Sequence, residues 1–172
     1  MPPETLLKVF GPFEIPFSGT GLKKHVSDDE ISSFWDSEFT RPFRKKHGCY
    51  VFALKAGKGH TPWYVGQTTK GFQQETFQSH KLKKYNDVLW SGKKGKPVMF
   101  FVCLPGSPKK IPKSVIDQTE VFLIQSAVVK NPEVKNAKNT KNLPKWGIAG
   151  VLRGGKGKTS DNAAVFKSMM GL

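Results

Sequence analysis

Apolar and polar positions alternate most clearly between Gly48 and Gly66. Tyr50, Phe52 and Leu54 share one face of an extended run. The loop Lys55 to Pro62 carries two glycines and a proline, and Trp63-Tyr64-Val65-Gly66 resumes the apolar pattern. This predicts a β-hairpin with a tyrosine beside a glycine on each strand. A phenol can orient a water or handle a proton, and glycine lets a backbone approach a ligand closely. Residues 72–85 carry an imperfect helical period that opens after Gly71. Val98 to Leu104 is continuously apolar, with branched and aromatic residues, as in a strand covered on both faces. The clearest helix follows, with Ser114 as its expected cap, Asp117 in its first turn and Pro132 just past its end. Ile116, Glu120, Leu123 and Ala127 share one face of that helix, so a carboxylate stands on a core-facing stripe. There it needs a cation or hydrogen-bond donors.

The ends of the chain are less regular. Leu6 to Phe10 and Ile15 to Phe17 suggest a strand or extended arm. Ser27-Asp28-Asp29-Glu30 has the form of a capping box opening a short acidic helix through Ile31, Phe34 and Trp35. Beyond Trp146, Ile148 and Val151 lies a Gly/Lys-rich stretch, Gly150 to Gly157. It lacks the lysine-Ser/Thr ending of a phosphate-binding loop and reads as a plain loop. A last helix is expected from Ser160 to Met170. The order strand, strand, helix, strand, helix predicts an α+β fold: a small three-stranded sheet flanked by helices. The implied division is an N-terminal extension over 1–45 packed on the core, the main domain over 46–142 and a C-terminal extension over 143–172.

Charge changes the picture from a small core domain to one that binds a polyanion. The formal net charge is +15. Residues 1–44 hold five Lys/Arg against seven Asp/Glu, whereas residues 45–172 hold twenty-three against six. A domain so basic attracts nucleic acid and releases counterions on binding it. Lysine dominates, with arginine only at 41, 44 and 153. Point charges that grip phosphates favour backbone or shape recognition over base reading. Cys49 and Cys103 both fall in expected strands and read as buried, reduced thiols of a cytoplasmic protein. No Cys/His spacing suggests zinc, and no apolar stretch reaches the length of a membrane helix.

Gly48-Cys49-Tyr50, then Tyr64-Val65-Gly66 about a dozen residues on, a helix, a strand and a helix bearing Glu120 together resemble the GIY-YIG nuclease family. The resemblance covers roughly residues 46–136. It implies metal-dependent hydrolysis of nucleic-acid phosphodiester bonds, with DNA expected ahead of RNA. It also implies that Tyr50 and Tyr64 line the site and orient or deprotonate the attacking water, and that Glu120 binds one magnesium (or manganese) ion. Asn136 would lie beside the phosphate, and His80 matches a histidine that some members carry at the end of the first helix. Lys70, Lys81, Lys84, Lys94, Lys110 and Lys138 are the cations expected to hold the nucleic acid. Two positions depart from the family. Its first-helix arginine falls on Gln74, Glu75 or Thr76, none of them basic, and Gln67 stands where some members have lysine. His80, Lys81 or Lys70 are the candidates to replace that cation, and Glu75 is a candidate to join the metal. The alternative is a weakened member of the fold that binds nucleic acid or a partner without cutting.

Overall fold

The computed structural model describes residues 5–106, 109–136, 146–152 and 158–172. In chain order its elements are strand β1 (Thr5–Glu14), helix α1 (Asp28–Asp36), strands β2 (Gly48–Ala56) and β3 (Gly59–Thr68), helices α2 (Phe72–Glu75) and α3 (Ser79–Trp90), strand β4 (Lys96–Cys103), helix α4 (Lys113–Lys130), strand β5 (Trp146–Ile148) and helix α5 (Asp161–Met170). The strands make one five-stranded sheet in the order β3-β2-β4-β1-β5. Its pairs are antiparallel except β1 with β5.

This corrects the expected three-stranded sheet. The hairpin β2–β3 and the apolar strand β4 form the antiparallel trio, but β4 is buried along nearly its whole length. Its second edge therefore needs hydrogen-bond partners. The N-terminal arm supplies them as β1, placing Val9 opposite Val102 and Phe10 opposite Phe101. β5 then adds three residues in parallel beyond β1. A three-residue strand is too short to leave a periodic signal, and the pairing of β1 with a strand ninety residues away leaves none either.

The sheet is covered on both faces. On one, Val51, Val65, Phe100 and Val102 pack with Ile116, Leu123 and Ala127 of α4 and Phe166 of α5. On the other, Tyr50, Phe52, Tyr64 and Phe101 pack with Phe34 and Trp35 of α1, Phe72 of α2 and Tyr85 of α3. This second core is largely aromatic, with Phe52 stacked on Tyr85 at 4.3 Å and Phe72 on Phe101 at 4.4 Å between ring centroids. Such contacts add to the burial term.

Two helix expectations are revised. The single helix over 72–85 is broken at Thr76–Gln78, where the Thr76 hydroxyl donates to Phe72 O at 2.7 Å and Tyr85 Oη donates to Thr76 O at 2.8 Å. Thr76 N–H still closes the last turn on Phe72 O, whereas Tyr85 takes the Thr76 carbonyl that a continuous helix would use. Helix α4 begins one residue before Ser114, after Pro112, so Ser114 is inside the helix and not its cap. The capping box of α1 is present: Ser27 N–H donates to Glu30 Oε2 at 2.9 Å.

Candidate active site at the edge of the sheet

Alternation along β2 and β3 decides which residues can meet. Tyr50 and Tyr64 project into the aromatic core on the α3 side, with ring centroids 6.3 Å apart. Tyr50 lies opposite Gly66 in the ladder. A Cβ on Gly66 would fall 2.3 Å from Tyr50 Oη, so the tyrosine ring occupies the space that glycine leaves. Gly48 is constrained by the backbone instead: its φ is +144°, and a Cβ there would lie 2.1 Å from Val102 O. Both glycines beside the tyrosines are therefore packing requirements of the sheet.

The next residue along, Gln67, faces the other way, towards α4. Its Nε2 donates to Asp117 Oδ1 at 2.9 Å and to Glu120 Oε2 at 3.0 Å. Asp117 also accepts from Lys113 Nζ at 2.6 Å. Burial opposes ionisation of Asp117, but the bonds from Lys113 and Gln67 outweigh it and hold its carboxyl below the usual range. β3 is the edge strand. The tyrosines on one face and the carboxylates on the other approach each other around that edge.

Both phenols feel carboxylate charge from the two sides. Tyr64 is shifted upward by burial first, then by the charges of Glu120 and Glu75. Tyr50 is shifted upward by burial first, then by Tyr64, Glu75 and Glu120. Both phenols stay protonated at neutral pH, so each has a proton to donate and neither is a phenolate. Tyr50 Oη is buried without a hydrogen-bond partner among the described residues, although it lies within electrostatic range of Tyr85. Tyr85 Oη gives its proton to Thr76 O.

Cations line the α3 side. Lys81 Nζ sits 5.6 Å from the Tyr50 ring centroid and Lys84 Nζ 4.8 Å from that of Tyr64. Lys81 is 7% exposed and is paired with Glu75 at 2.9 Å. Of the three positions matched to the family arginine, Gln74 is exposed, Thr76 is fully buried and Glu75 holds Lys81.

Asn136 is a structural clamp on the same edge. Its amide bonds Val65 twice, Val65 N–H donating to Oδ1 at 3.1 Å and Nδ2 donating to Val65 O. Lys135 N donates to Trp63 O at 2.9 Å, and Asn131 Nδ2 to Pro62 O at 2.7 Å. Residues 131–136 thus satisfy the outer edge of β3 and fix Tyr64 and Gln67 between them.

The remaining expected site residues are less gathered. His80 is exposed at the second position of α3 and makes no hydrogen bond, ion pair or ring contact among the described residues. Lys70 and Lys110 are exposed in loops at the same end of the sheet as Gly48 and Thr68. Lys94 lies at the opposite end, beside Lys55 and Lys96 around a small groove. Lys138 lies outside the described residues. Asp117 was not anticipated as a site residue, though it stands three residues before Glu120 on one helix, a spacing that puts both on neighbouring positions. A larger groove of about 680 Å³, lined by Phe10, Phe13, Phe39 and Phe43 among others, includes none of these residues.

Among the described residues no group of three or more His, Cys, Asp or Glu side chains could hold a metal ion. The donors at the edge are two carboxylates joined through one amide. That set suits a hard cation such as magnesium, which keeps several waters and takes phosphate oxygens with one or two carboxylates. No helix among the described residues is long and apolar enough to cross a membrane. Both cysteines are free and buried, and burial pushes the Cys103 thiol up to about 12.

Compared with known proteins, the chain matches no family model, no curated protein and no solved structure.

Proposed function

We propose that the chain is a GIY-YIG-type endonuclease that hydrolyses DNA phosphodiester bonds with a divalent cation. The observation that carries this reading is the approach of Tyr50 and Tyr64 to Glu120 around the edge of β3, in a chain whose residues 45–172 carry twenty-three Lys/Arg against six Asp/Glu. Glu120 and Asp117 would hold the cation, which supplies charge neutralisation at the scissile phosphate when bound. Tyr64, the less buried phenol, donates a hydrogen bond to the attacking water or to a phosphate oxygen. Tyr50 backs it from beneath. In the reaction a water oxygen bonds to phosphorus and the phosphorus bond to the leaving oxygen breaks. One water proton goes to solvent, and the leaving oxygen takes up one. Asn136 acts through Val65 as a positioning residue, holding the strand that carries Tyr64.

A second reading is a binding module of the same kind without cleavage. It is favoured by the absence of a cation at Gln74, Glu75 and Thr76, because lost charge stabilisation at the transition state costs about 10²–10³ in kcat for a single donor. Incubation of the protein with single- and double-stranded DNA and RNA, with magnesium or manganese, separates the two. Cleavage that depends on Glu120 is expected. Salt-sensitive binding without cleavage selects the module, and cleavage unaffected by Glu120→Ala removes the mechanism.

A further inference from the structure

We propose that the groove at the turn end of the β2–β3 hairpin is a second nucleic-acid contact, gripping backbone phosphates about five to eight base pairs from the bond that is cut. This deepens the nuclease reading above and rests on it for the position of the cut.

The groove holds about 460 Å³ and is lined by Lys55, Lys94 and Lys96, with Glu14 as the one acid among its lining residues. Lys55 and Lys96 stand directly opposite each other in the β2–β4 ladder. Like charges so placed repel and weaken a sheet. Glu14 offsets this little, because its carboxylate is 3.9 Å from Lys96 Nζ and the two side chains are 59% and 62% exposed. Lys58, exposed in the adjoining turn, adds to the same charge. Ammonium groups gathered around a concave surface fit a polyanion, whose phosphates supply the negative charge that the fold leaves out.

The lysines are placed by a built turn. Gly95 lies between Lys94 and Lys96 with φ +127°, and a Cβ there would fall 2.8 Å from Lys55 O. Only glycine lets the turn press so closely on β2. Lys24 Nζ donates to Gly95 O at 3.2 Å and secures the turn from a loop that is closed by the Ser18–His25 pair. Lys24 is thereby spent on structure, while Lys94 and Lys96 stay exposed.

Position along the hairpin sets the length of nucleic acid required. Strand β3 starts at Gly59 beside this turn and carries Tyr64 and Gln67 further on. At about 3.3 Å per residue, these lie about 17 and 26 Å from Gly59. B-DNA covers that span in about five to eight base pairs. Lys84 Nζ over the Tyr64 ring and Lys93 Nζ over the Trp63 ring stand on β3 along the way, and Lys93 is also paired with Glu133 at 2.6 Å. Lysine grips phosphate as a point charge, so this contact holds the backbone whatever the base sequence.

Two exposed apolar side chains, Trp90 and Leu22, stand near the same end, Leu22 against Gly92. Apolar side chains beside lysines also suit a membrane surface. Here the lysines line a concave groove, which admits a phosphate chain better than a flat bilayer.

The test compares the full chain with Lys94→Ala/Lys96→Ala, and uses Lys130→Ala/Lys167→Ala as a charge-matched control on α4 and α5. Binding to a fluorescein-labelled duplex of about 20 base pairs is read by anisotropy over a potassium chloride series without divalent cation, so cleavage plays no part. The groove variant should bind about tenfold more weakly, with a salt slope shallower by about 1.8 for two lost phosphate contacts, while the control changes affinity by no more than about twofold. With magnesium and an end-labelled duplex, wild-type cleavage should spare about five to eight base pairs at one polarity of end, where the groove would be empty. The groove variant should lose that protection. A groove variant that binds like the control, or wild-type cleavage that runs evenly to both ends, overturns the assignment and leaves the nuclease reading standing. So does a groove variant that keeps its DNA affinity but no longer sediments with phosphatidylserine vesicles, which gives the groove to a membrane. If the binding results are as expected but the wild type cuts nothing, the groove contact stands and the nuclease reading falls. A wild-type protein that binds no nucleic acid at low salt overturns both.

Discussion

The two faces of strand β3 carry opposite chemistry. Towards α3 stand Tyr50, Tyr64, Lys81 and Glu75, in an aromatic core where the phenols are buried and a single ion pair is embedded among rings. Towards α4 stand Gln67, Asp117 and Glu120, half-buried and bound to one another through the Gln67 amide. The first face is aromatic, with the Lys81 and Lys84 ammonium groups over its tyrosine rings. The second is acidic and partly open, suited to a hydrated cation. Because β3 is the edge, the proposed reading has side chains of both faces serving one phosphate there. In a central strand the same residues would have been separated by a neighbouring strand.

The largest effects should come from breaking one face while leaving the other. Tyr64→Phe removes a donor at little cost in packing. It should lower kcat about a hundredfold with a melting temperature close to wild type. Glu120→Gln should abolish metal-dependent cleavage while salt-sensitive DNA binding, measured by fluorescence anisotropy, persists. Equal activity in either variant would separate that face from the chemistry.

Gly66→Ala tests the packing that joins the faces. The new methyl would collide with Tyr50 Oη, and the ring cannot withdraw because its space is filled. Overpacking of this kind costs about 1–3 kcal/mol, and chemical denaturation should show it. Asn136→Ala leaves the N–H and C=O of Val65 without their side-chain partner. A loss of about 1–3 kcal/mol is expected, with faster hydrogen exchange at Val65 than at Phe52 on the paired strand.

A smaller effect separates the faces by pH. The phenols are pushed upward by burial before any charge acts. Raised pKa values mean that the folded chain holds its tyrosine protons longer than the unfolded one. Their contribution to stability is therefore complete below about pH 10 and declines as pH rises beyond it. Cleavage should show no alkaline limb from tyrosine ionisation below that point. A rate that instead rises with pH through the tyrosine range, and loses that rise in Tyr64→Phe, would make Tyr64 a base after all. Smallest of all, Lys84→Ala should reduce the salt slope of DNA binding by about 0.9 and leave kcat unchanged.

The elements that carry the candidate site were legible from residue order. Period-two alternation located the hairpin and both tyrosines, and helical spacing turned Glu120 inward. Those are local patterns, carried by neighbours in the chain. Asp117 and Gln67 were not nominated, because an exposed-looking acid in a first helical turn and a glutamine after Tyr64-Val65-Gly66 are commonplace alone. They matter only where α4 meets β3. Asn136 was expected beside a phosphate, whereas its amide is spent on Val65.

By itself the sequence determined the hairpin, the apolar strand β4, the inward face of α4 and the basic character of everything after residue 44. Each follows from side-chain periodicity or from counting charges. Only the tertiary structure decided that the sheet has five strands, because hydrogen-bonding partners such as β1 and β4 are chosen by edges that must be satisfied and not by local pattern. It also decided that residues 72–90 are two helices. The Tyr85 hydroxyl reaches back from α3 to the Thr76 carbonyl, a bond that no helical periodicity signals, and the bend sets Lys81 beside Tyr50.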